Sequence, residues 1–175
     1  MNTLKPYPLI DGYTHSISQV ICFLQFARSC TLKVVENYTT EELDFLPEGI
    51  SNSTATLLRH IAALEFQFQQ VTFYNQKLNQ QQMIEWYGGY ATELSLNYVK
   101  NQPLSYYITL LVTQRNTTLE LFKLKTDEWL LADNLIVPKA NNLFFWYHLA
   151  EDELSHMGQI KLISKMQAKD YKNIT

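Results

Sequence analysis

FWYHLAEDELSHMGQIKLISKM, residues 145–166, decides the fold prediction, because its apolar residues return every three or four positions. This spacing places them on one face of an α-helix, the face that a helix buries against the rest of a protein. The residues on this face are Phe145, Leu149, Asp152, His156, Ile160, Ile163 and Met166. The stretch therefore predicts a long helix whose inward face carries one polar pair, Asp152 and His156.

Three segments before this stretch show the same helical periodicity. They predict helices over roughly Thr14–Asn37, Thr54–Phe73 and Pro103–Lys125. Asp11 or Thr14 can cap the start of the first helix. Ser, Asn and Thr residues at positions 51–54 can cap the second, and proline suits the first position of the third.

The connections between these helices are mostly long. Thr40–Leu43 predicts one short turn between the first two helices. The Asn- and Gln-rich connection Tyr74–Gln102, which contains Gly88-Gly89, keeps some helix around Met83–Trp86, and a further connection covers Asp127–Pro138. No strand-like alternation and no internal repeat is apparent, so we expect an all-α fold, a four-helix bundle with at least one crossover.

Composition and charge indicate one folded domain over residues 1–175. The formal net charge is −3, without the clustered Lys and Arg that bind nucleic acid, so we expect no nucleic-acid partner. No apolar run reaches the length of about 18 residues that a membrane span needs. Met1–Pro8 lacks the basic start and apolar stretch of a signal peptide, so we expect a cytoplasmic protein.

The two cysteines, Cys22 and Cys30, are eight residues apart in the first predicted helix. At about 1.5 Å of rise per residue they lie about 12 Å apart along its axis, too far for a disulfide between them. We expect them to be small, buried apolar side chains in a reducing compartment.

Asp152 and His156 are the first candidate metal ligands, because a spacing of four residues places both side chains on one helix face. His60 lies between Leu57 and Leu64 on the second helix and reaches the same point if the two helices are neighbours. Three such ligands would hold a divalent metal and leave coordination positions open. The alternative is a metal-free core in which Asp152 accepts a hydrogen bond from His60.

Three other polar residues are weaker candidates. The segment from Asp152 to His156 matches the zinc-protease pattern H-E-x-x-H, except that Asp152 replaces the first His. In that pattern Glu153 would have a catalytic role. A solvated helix residue is the simpler interpretation of Glu153, and we do not expect a protease. His148 lies two turns, about 12 Å, from His156 and cannot complete a set with both ligands, and His15 is weaker too.

Two stretches of the sequence carry a resemblance to a known family. Asn52–Glu65 (NSTATLLRHIAALE) resembles the second helix of the DinB/YfiT-like family. His148–Ile160 (HLAEDELSHMGQI) resembles the family's fourth-helix motif, in which a ligand pair four residues apart is followed by Gly-Gln-Ile. Tyr38–Pro47 is also similar to the first connection of the family, so the resemblance covers roughly Asp11 to Met166.

This resemblance implies an antiparallel four-helix bundle, usually a homodimer, with a divalent metal at three residues that are commonly all histidine. By position these residues are His60, Asp152 and His156. Asp152 departs from the family pattern and makes the set two nitrogens and one oxygen. Zinc accepts a carboxylate oxygen, and such a mixed set also suits nickel, iron(II) or manganese, of which we favour zinc or nickel.

The resemblance also implies the function. It implies a metal-dependent enzyme that transfers a low-molecular-weight thiol to a small electrophilic substrate or hydrolyses a small molecule. No catalytic residue can be assigned beyond the ligands. One alternative is a stress-response or interaction protein that binds metal without turnover. Another is a purely structural helical dimer in which Asp152 pairs with a histidine.

Overall fold

The computed structural model describes residues 8–86, 89 and 99–174, with side chains described as far as residue 168. Met1–Tyr7, where no signal peptide is expected, and Gly88 lie outside these residues. The described residues form α-helices and no β-strand, apart from one isolated bridge between Asp133 and Asn141, so the all-α prediction is confirmed. The helices are α1 (His15–Val35), α2 (Thr40–Asp44), α3 (Thr54–Thr72), α4 (Gln80–Glu85), α5 (Leu104–Phe122), α6 (Asp127–Leu131) and α7 (Asn142–Ile174).

The four predicted helices correspond to α1, α3, α5 and α7, and local caps explain where two of them begin. The Ser53 side chain accepts the backbone N–H of Thr56 at the start of α3. The Asn141 side chain accepts the backbone N–H of Phe144 at the start of α7. These side chains satisfy N–H groups that have no partner within the first turn of a helix.

The start of α1 is capped from a distant part of the chain, which corrects the predicted local cap. The Thr14 side chain accepts no hydrogen bond from α1 and instead donates to Asp127. Oδ1 of Asp127 accepts from the backbone N–H of Ser16 at 3.1 Å and of Ile17 at 3.4 Å. The cap therefore comes from a residue more than a hundred positions later.

The connections contain three short helices. The predicted turn at Thr40–Leu43 is α2, held by a capping box between Thr39 and Glu42. The helical structure expected around Met83–Trp86 is α4, which ends before Trp86. The third, α6, lies in the connection Asp127–Pro138, where the periodicity predicts no helix, because five residues are too few to show a repeat.

The order of the core residues gives the direction of each long helix. The apolar core has a first cluster around Trp146 and Phe122 and a second cluster around Tyr107 and Leu58. α1 and α7 begin in the first cluster and continue into the second, whereas α3 and α5 run the other way. α1 packs on α7 and α3 packs on α5, so both neighbouring pairs are parallel, while α3 and α7 are antiparallel neighbours.

This order corrects one expectation and explains another. The antiparallel packing implied by the family resemblance is present between α3 and α7, whereas α1–α7 and α3–α5 are parallel pairs. Since α3 ends in the first cluster and α5 begins in the second, these two helix ends lie about one helix length apart, about 28 Å for 19 residues. The predicted length of the connection Tyr74–Gln102 thus has a structural reason.

Two further expectations concern cysteines and membranes. Cys22 and Cys30 are both free thiols, as expected, but each is half-buried rather than buried. Among the helices of the described residues, none combines the length and the apolar character that crossing a membrane requires.

Candidate metal centre

The structure brings His60, Asp152 and His156 together. Each offers one ligand atom, and these atoms all lie within 4.8 Å of one another. Nε2 of His156 is 3.3 Å from Oδ2 of Asp152, as expected for residues one helical turn apart. Nε2 of His60 is 3.6 Å from the same oxygen, because α3 packs against α7. In the described part of the chain, this is the one group of His, Cys, Asp and Glu side chains arranged in this way.

In His60 and His156, the ring nitrogen Nδ1, which is not the one near Asp152, contacts a carbonyl oxygen. Nδ1 of His60 is 2.7 Å from the backbone oxygen of Gly89, and Nδ1 of His156 is 2.9 Å from Oε1 of Gln159. A carbonyl oxygen only accepts, so each Nδ1 carries the hydrogen and donates it. In the neutral imidazoles Nε2 is then unprotonated and presents its lone pair, as in metal-binding histidines.

Asp152 completes a set of donors that suits a cation. Its Oδ2 is buried and has no hydrogen-bond partner, although two Nε2 atoms lie close to it. Two ligands at about 2.1 Å from a tetrahedral metal are about 3.4 Å apart, which matches the two N–O separations. When both imidazoles are neutral, the three ligand atoms are electron-pair donors that face one another, which fits a bound divalent metal. Without a metal, a protonated Nε2 can donate to Asp152 instead.

The electrostatics of the metal-free group follow from the same contacts. Burial raises the pKa of Asp152, but the imidazoles of His156 and His60 outweigh it and hold this pKa well below its usual range. Burial lowers the pKa of His156, but the contacts with Asp152 and Gln159 outweigh it and raise the pKa. The carboxylate is therefore ionised and available as a ligand at neutral pH.

The site lies at the edge of the core rather than deep within it. The side chains of His60, Asp152 and His156 are 22%, 18% and 16% exposed, whereas Leu149 and Ile160 on the same face of α7 are fully buried. Gln159 and Leu57, next to the ligands on α7 and α3, also line a cavity of about 310 Å³. None of the three ligands lines this cavity, so their access to solvent rests on their own partial exposure.

The other two histidines lie outside this group. His148 is half-buried, contacts Glu151 through Nδ1 at 3.2 Å and stacks on Phe144. His15 is exposed, with its Nε2 3.3 Å from the Gln19 amide.

Glu153 is not the solvated helix residue that the sequence suggests. It is fully buried, and its Oε1 accepts a hydrogen bond from Nε of Arg28 at 2.7 Å. Glu65 on α3 is also fully buried and accepts from Arg28 and from Arg115 of α5. A carboxylate held in this way cannot serve as a general base toward external water, which excludes the protease role considered for Glu153.

A buried charged layer lies between the two core clusters and consists of Arg28, Glu65, Arg115 and Glu153. All four long helices contribute one member, and the arginines also donate to the backbone oxygens of Leu111 and Leu24. Burial raises the pKa of Glu65, but Arg115 and Arg28 outweigh it and lower this pKa. Apolar periodicity does not predict this layer, although an Arg four residues after a Leu of the apolar stripe occurs in both α1 and α5.

No protein-family model matches the sequence, and a search of curated proteins finds no match.

Proposed function

We propose that this protein is a divalent-metal-dependent enzyme, a four-helix bundle of the DinB/YfiT-like family. In this proposal it transfers a low-molecular-weight thiol to an electrophilic small molecule or hydrolyses a small molecule. One observation carries the proposal: Nε2 of His60 and Nε2 of His156 both lie near an unpartnered carboxylate oxygen of Asp152, and the two N–O separations suit one metal ion.

Each residue of the site has a defined task in this proposal. His60 and His156 each present Nε2 because Gly89 and Gln159 hold the other ring nitrogen. Asp152 supplies a negative oxygen between them. When bound, a divalent metal would lower the pKa of a nearby water or thiol, which creates a nucleophile at neutral pH. Three protein ligands leave a position for that nucleophile or for substrate, as in catalytic zinc sites.

Other parts of the proposal rest on the family resemblance and on the ligand chemistry. Two nitrogens and one oxygen suit zinc or nickel, and also iron or manganese. The resemblance supports a homodimer, and the cytoplasmic location stays a proposal.

A protein that binds metal without turnover is a second candidate, and one observation favours it. Glu153, the glutamate that follows Asp152, is fully buried in ion pairs. The described residues therefore provide no free general base at that position.

Metal analysis of the purified protein tests metal binding, which both candidate functions require. We expect one zinc or nickel ion per chain after titration, and strongly reduced binding in His60→Ala and His156→Ala. His148→Ala is the matched control, because His148 lies on α7 but outside the ligand group, and should bind as wild type. Metal content that stays far below one per chain on titration would contradict the proposal.

Activity assays separate the enzyme from the binding protein. We would measure thiol-dependent loss of a panel of electrophiles, and hydrolysis of simple esters and amides, in wild type and in His156→Ala. A rate that depends on His156 and on added metal supports the enzyme. Equal rates in both proteins would remove the catalytic part of the proposal and leave the binding protein.

A further inference from the structure

α1 and α5 share the pattern Leu-x-x-x-Arg-x-x-Thr-Leu at an offset of 87 residues. The matched residues also have matched surroundings, since the first leucine, the arginine and the threonine are buried in both helices. Both threonine hydroxyls donate to the backbone oxygen four residues earlier. The matched pairs are Leu24 and Leu111, Arg28 and Arg115, Thr31 and Thr118, and Leu32 and Leu119.

The short helices α2 and α6 match at the same offset. Thr39 and Thr126 are their N-caps, and each hydroxyl accepts the backbone N–H three residues later. Each helix has a glutamate two residues after the cap and ends near a fully buried leucine, Leu43 or Leu130. Both α2 and α6 then pack on the long helix that follows them, α3 or α7.

α3 and α7 share the pattern His-[Ile/Leu]-Ala-x-x-Glu at an offset of 88 residues. The pattern begins at His60 in α3 and at His148 in α7, and it ends at the two fully buried glutamates, Glu65 and Glu153. The N-cap residues of the two helices, Ser53 and Asn141, have the same offset. One extra residue between the short and the long helix accounts for the change from 87 to 88.

The buried charged layer relates the first set of matched helices, α1 to α3, to the second set, α5 to α7, in space. Nη1 of Arg28 donates to the oxygen of Leu111 at 2.6 Å, and Nη1 of Arg115 donates to the oxygen of Leu24 at 2.7 Å. Nε of Arg28 donates to Glu153 at 2.7 Å, and Nε of Arg115 donates to Glu65 at 2.8 Å. If each residue is replaced by its match in the other set of helices, each of these bonds of Arg28 becomes the corresponding bond of Arg115. The same relation holds in a twofold interface, where residue i contacts j and j contacts i.

We infer that the chain is a tandem duplication of one unit, a long helix, a short helix and a second long helix, spanning residues 15–72 and 102–160. The packing agrees, because α1 on α7 and α5 on α3 are equivalent contacts under this exchange. No repeat is apparent in the sequence alone, and the paired contacts revise that expectation. Matched residues are few and lie among unmatched ones, so their shared structural role is visible only in the fold.

The duplication assigns a second, incomplete metal position to the protein, an assignment that rests on the proposed metal site. By offset, His148 corresponds to His60, Leu64 to Asp152 and Phe68 to His156. The Phe68 and His148 rings are 6.1 Å apart, and the equivalent His60 and His156 rings are 4.9 Å apart. The second position keeps its histidine and lacks the other two ligands, which explains why one of the two equivalent positions carries the full ligand set and the other does not.

Restoring the missing ligands tests this assignment. The variant Leu64→Asp/Phe68→His, titrated with zinc and followed by calorimetry and metal analysis, should bind two ions per chain instead of one. Adding His148→Ala should return the stoichiometry to one. A folded double variant that still binds one ion, or a second ion that persists without His148, would overturn the assignment.

A milder variant avoids the buried Phe68, whose replacement can destabilise the core. Leu64→His in a His156→Ala background offers a second imidazole to His148 while the natural site is disabled. Nickel should raise the Tm of this variant, and His148→Ala should abolish the increase. An absent increase in the folded variant, or one that does not depend on His148, counts against the duplication.

The two experiments separate failure of the duplication from failure of the proposed function. Wild type that binds no metal contradicts the proposed function. The Leu64→His result, obtained with the natural site disabled, still decides whether His148 faces position 64 as His60 faces Asp152.

Discussion

Asp152 is the residue at which the chemistry of the site is decided. Its oxygen lies within 3.6 Å of two imidazole nitrogens and has no hydrogen-bond donor. A third histidine at this position would give a neutral set of ligands, whereas Asp152 adds a negative charge. The carboxylate therefore favours a divalent cation and widens the range of metals that fit.

The glycine that supports His60 gives a prediction at the residue scale. A Cβ at Gly89 would lie 2.4 Å from Cβ of Ala63 and 3.1 Å from the backbone oxygen of Arg59. Gly89→Ala should therefore move the backbone away from α3 and remove the hydrogen bond to Nδ1 of His60. Since loss of such a supporting bond weakens metal binding by roughly 10–100-fold, zinc affinity measured by calorimetry should fall by that factor.

Two variants serve as controls for Gly89→Ala. Gly158→Ala on α7 is the matched change, because a Cβ there meets no atom within 4 Å, and it should retain wild-type affinity. Ala63→Gly, added to Gly89→Ala, removes the closest clash and should recover part of the affinity. If Gly89→Ala binds zinc as tightly as wild type, the Gly89 carbonyl does not hold His60.

At the scale of elements, the buried charged layer fixes the four long helices relative to one another. Glu65 of α3 accepts from Arg28 of α1 and from Arg115 of α5, and Glu153 of α7 shares the same arginines. Removing one partner of a buried ion pair leaves an uncompensated charge, which costs about 3–5 kcal/mol. The layer therefore makes the packing of α3 against α7, and with it the metal site, dependent on residues outside the site.

Glu65→Gln tests this role and its pH dependence. The pKa of Glu65 is lowered in the fold, so its ion pairs contribute fully above the ordinary pKa of about 4.5 and are lost as the pH falls through the folded value. Urea unfolding should show Glu65→Gln about 3–5 kcal/mol less stable than wild type at neutral pH, with the difference shrinking in acid.

An exposed glutamate on α5 provides the control for this experiment. Glu120 pairs with Lys123 at the surface, so Glu120→Gln should change stability very little at any pH. A Glu65→Gln protein as stable as wild type at neutral pH would show that the ion pairs of the charged layer contribute no net stability.

The distant cap of α1 gives a second prediction at this scale. Asp127→Ala removes the acceptor for the first N–H groups of α1 and should reduce the free energy of unfolding by about 1 kcal/mol. Asp11→Ala, at the position where the sequence predicts a local cap, is the matched control and should have little effect. Denaturant unfolding of both variants measures these two changes in the free energy of unfolding. A larger loss in Asp11→Ala than in Asp127→Ala would support the predicted local cap instead.

At the scale of the whole molecule, the site joins two helices, so metal binding should stabilise the fold. A metal at 100 times its Kd adds about 2.7 kcal/mol to the stability of the folded state. For a chain of this size the Tm should rise by roughly 5–10 °C. Thermal unfolding with and without zinc should show this increase in wild type and in His148→Ala, but not in His60→Ala. An equal increase in all three proteins would place the stabilising metal elsewhere.

The sequence by itself determined the four long helices, most of their ends and the three candidate ligands. Apolar periodicity reflects the geometry of one helix, and capping residues act within one turn, so both can be inferred from neighbouring positions. The spacing of Asp152 and His156 is local in the same sense. His60 required the further assumption that its helix lies beside theirs.

Only the tertiary structure decided how the helices are arranged and which polar residues are buried together. The parallel packing of α1 on α7, the cap that Asp127 provides to α1 and the burial of Glu153 all depend on partners far away in the sequence. A buried charge is tolerated only where opposite charges meet it, and such partners come from other helices. For that reason the sequence placed Glu153 in solvent, whereas the fold places it in the buried charged layer.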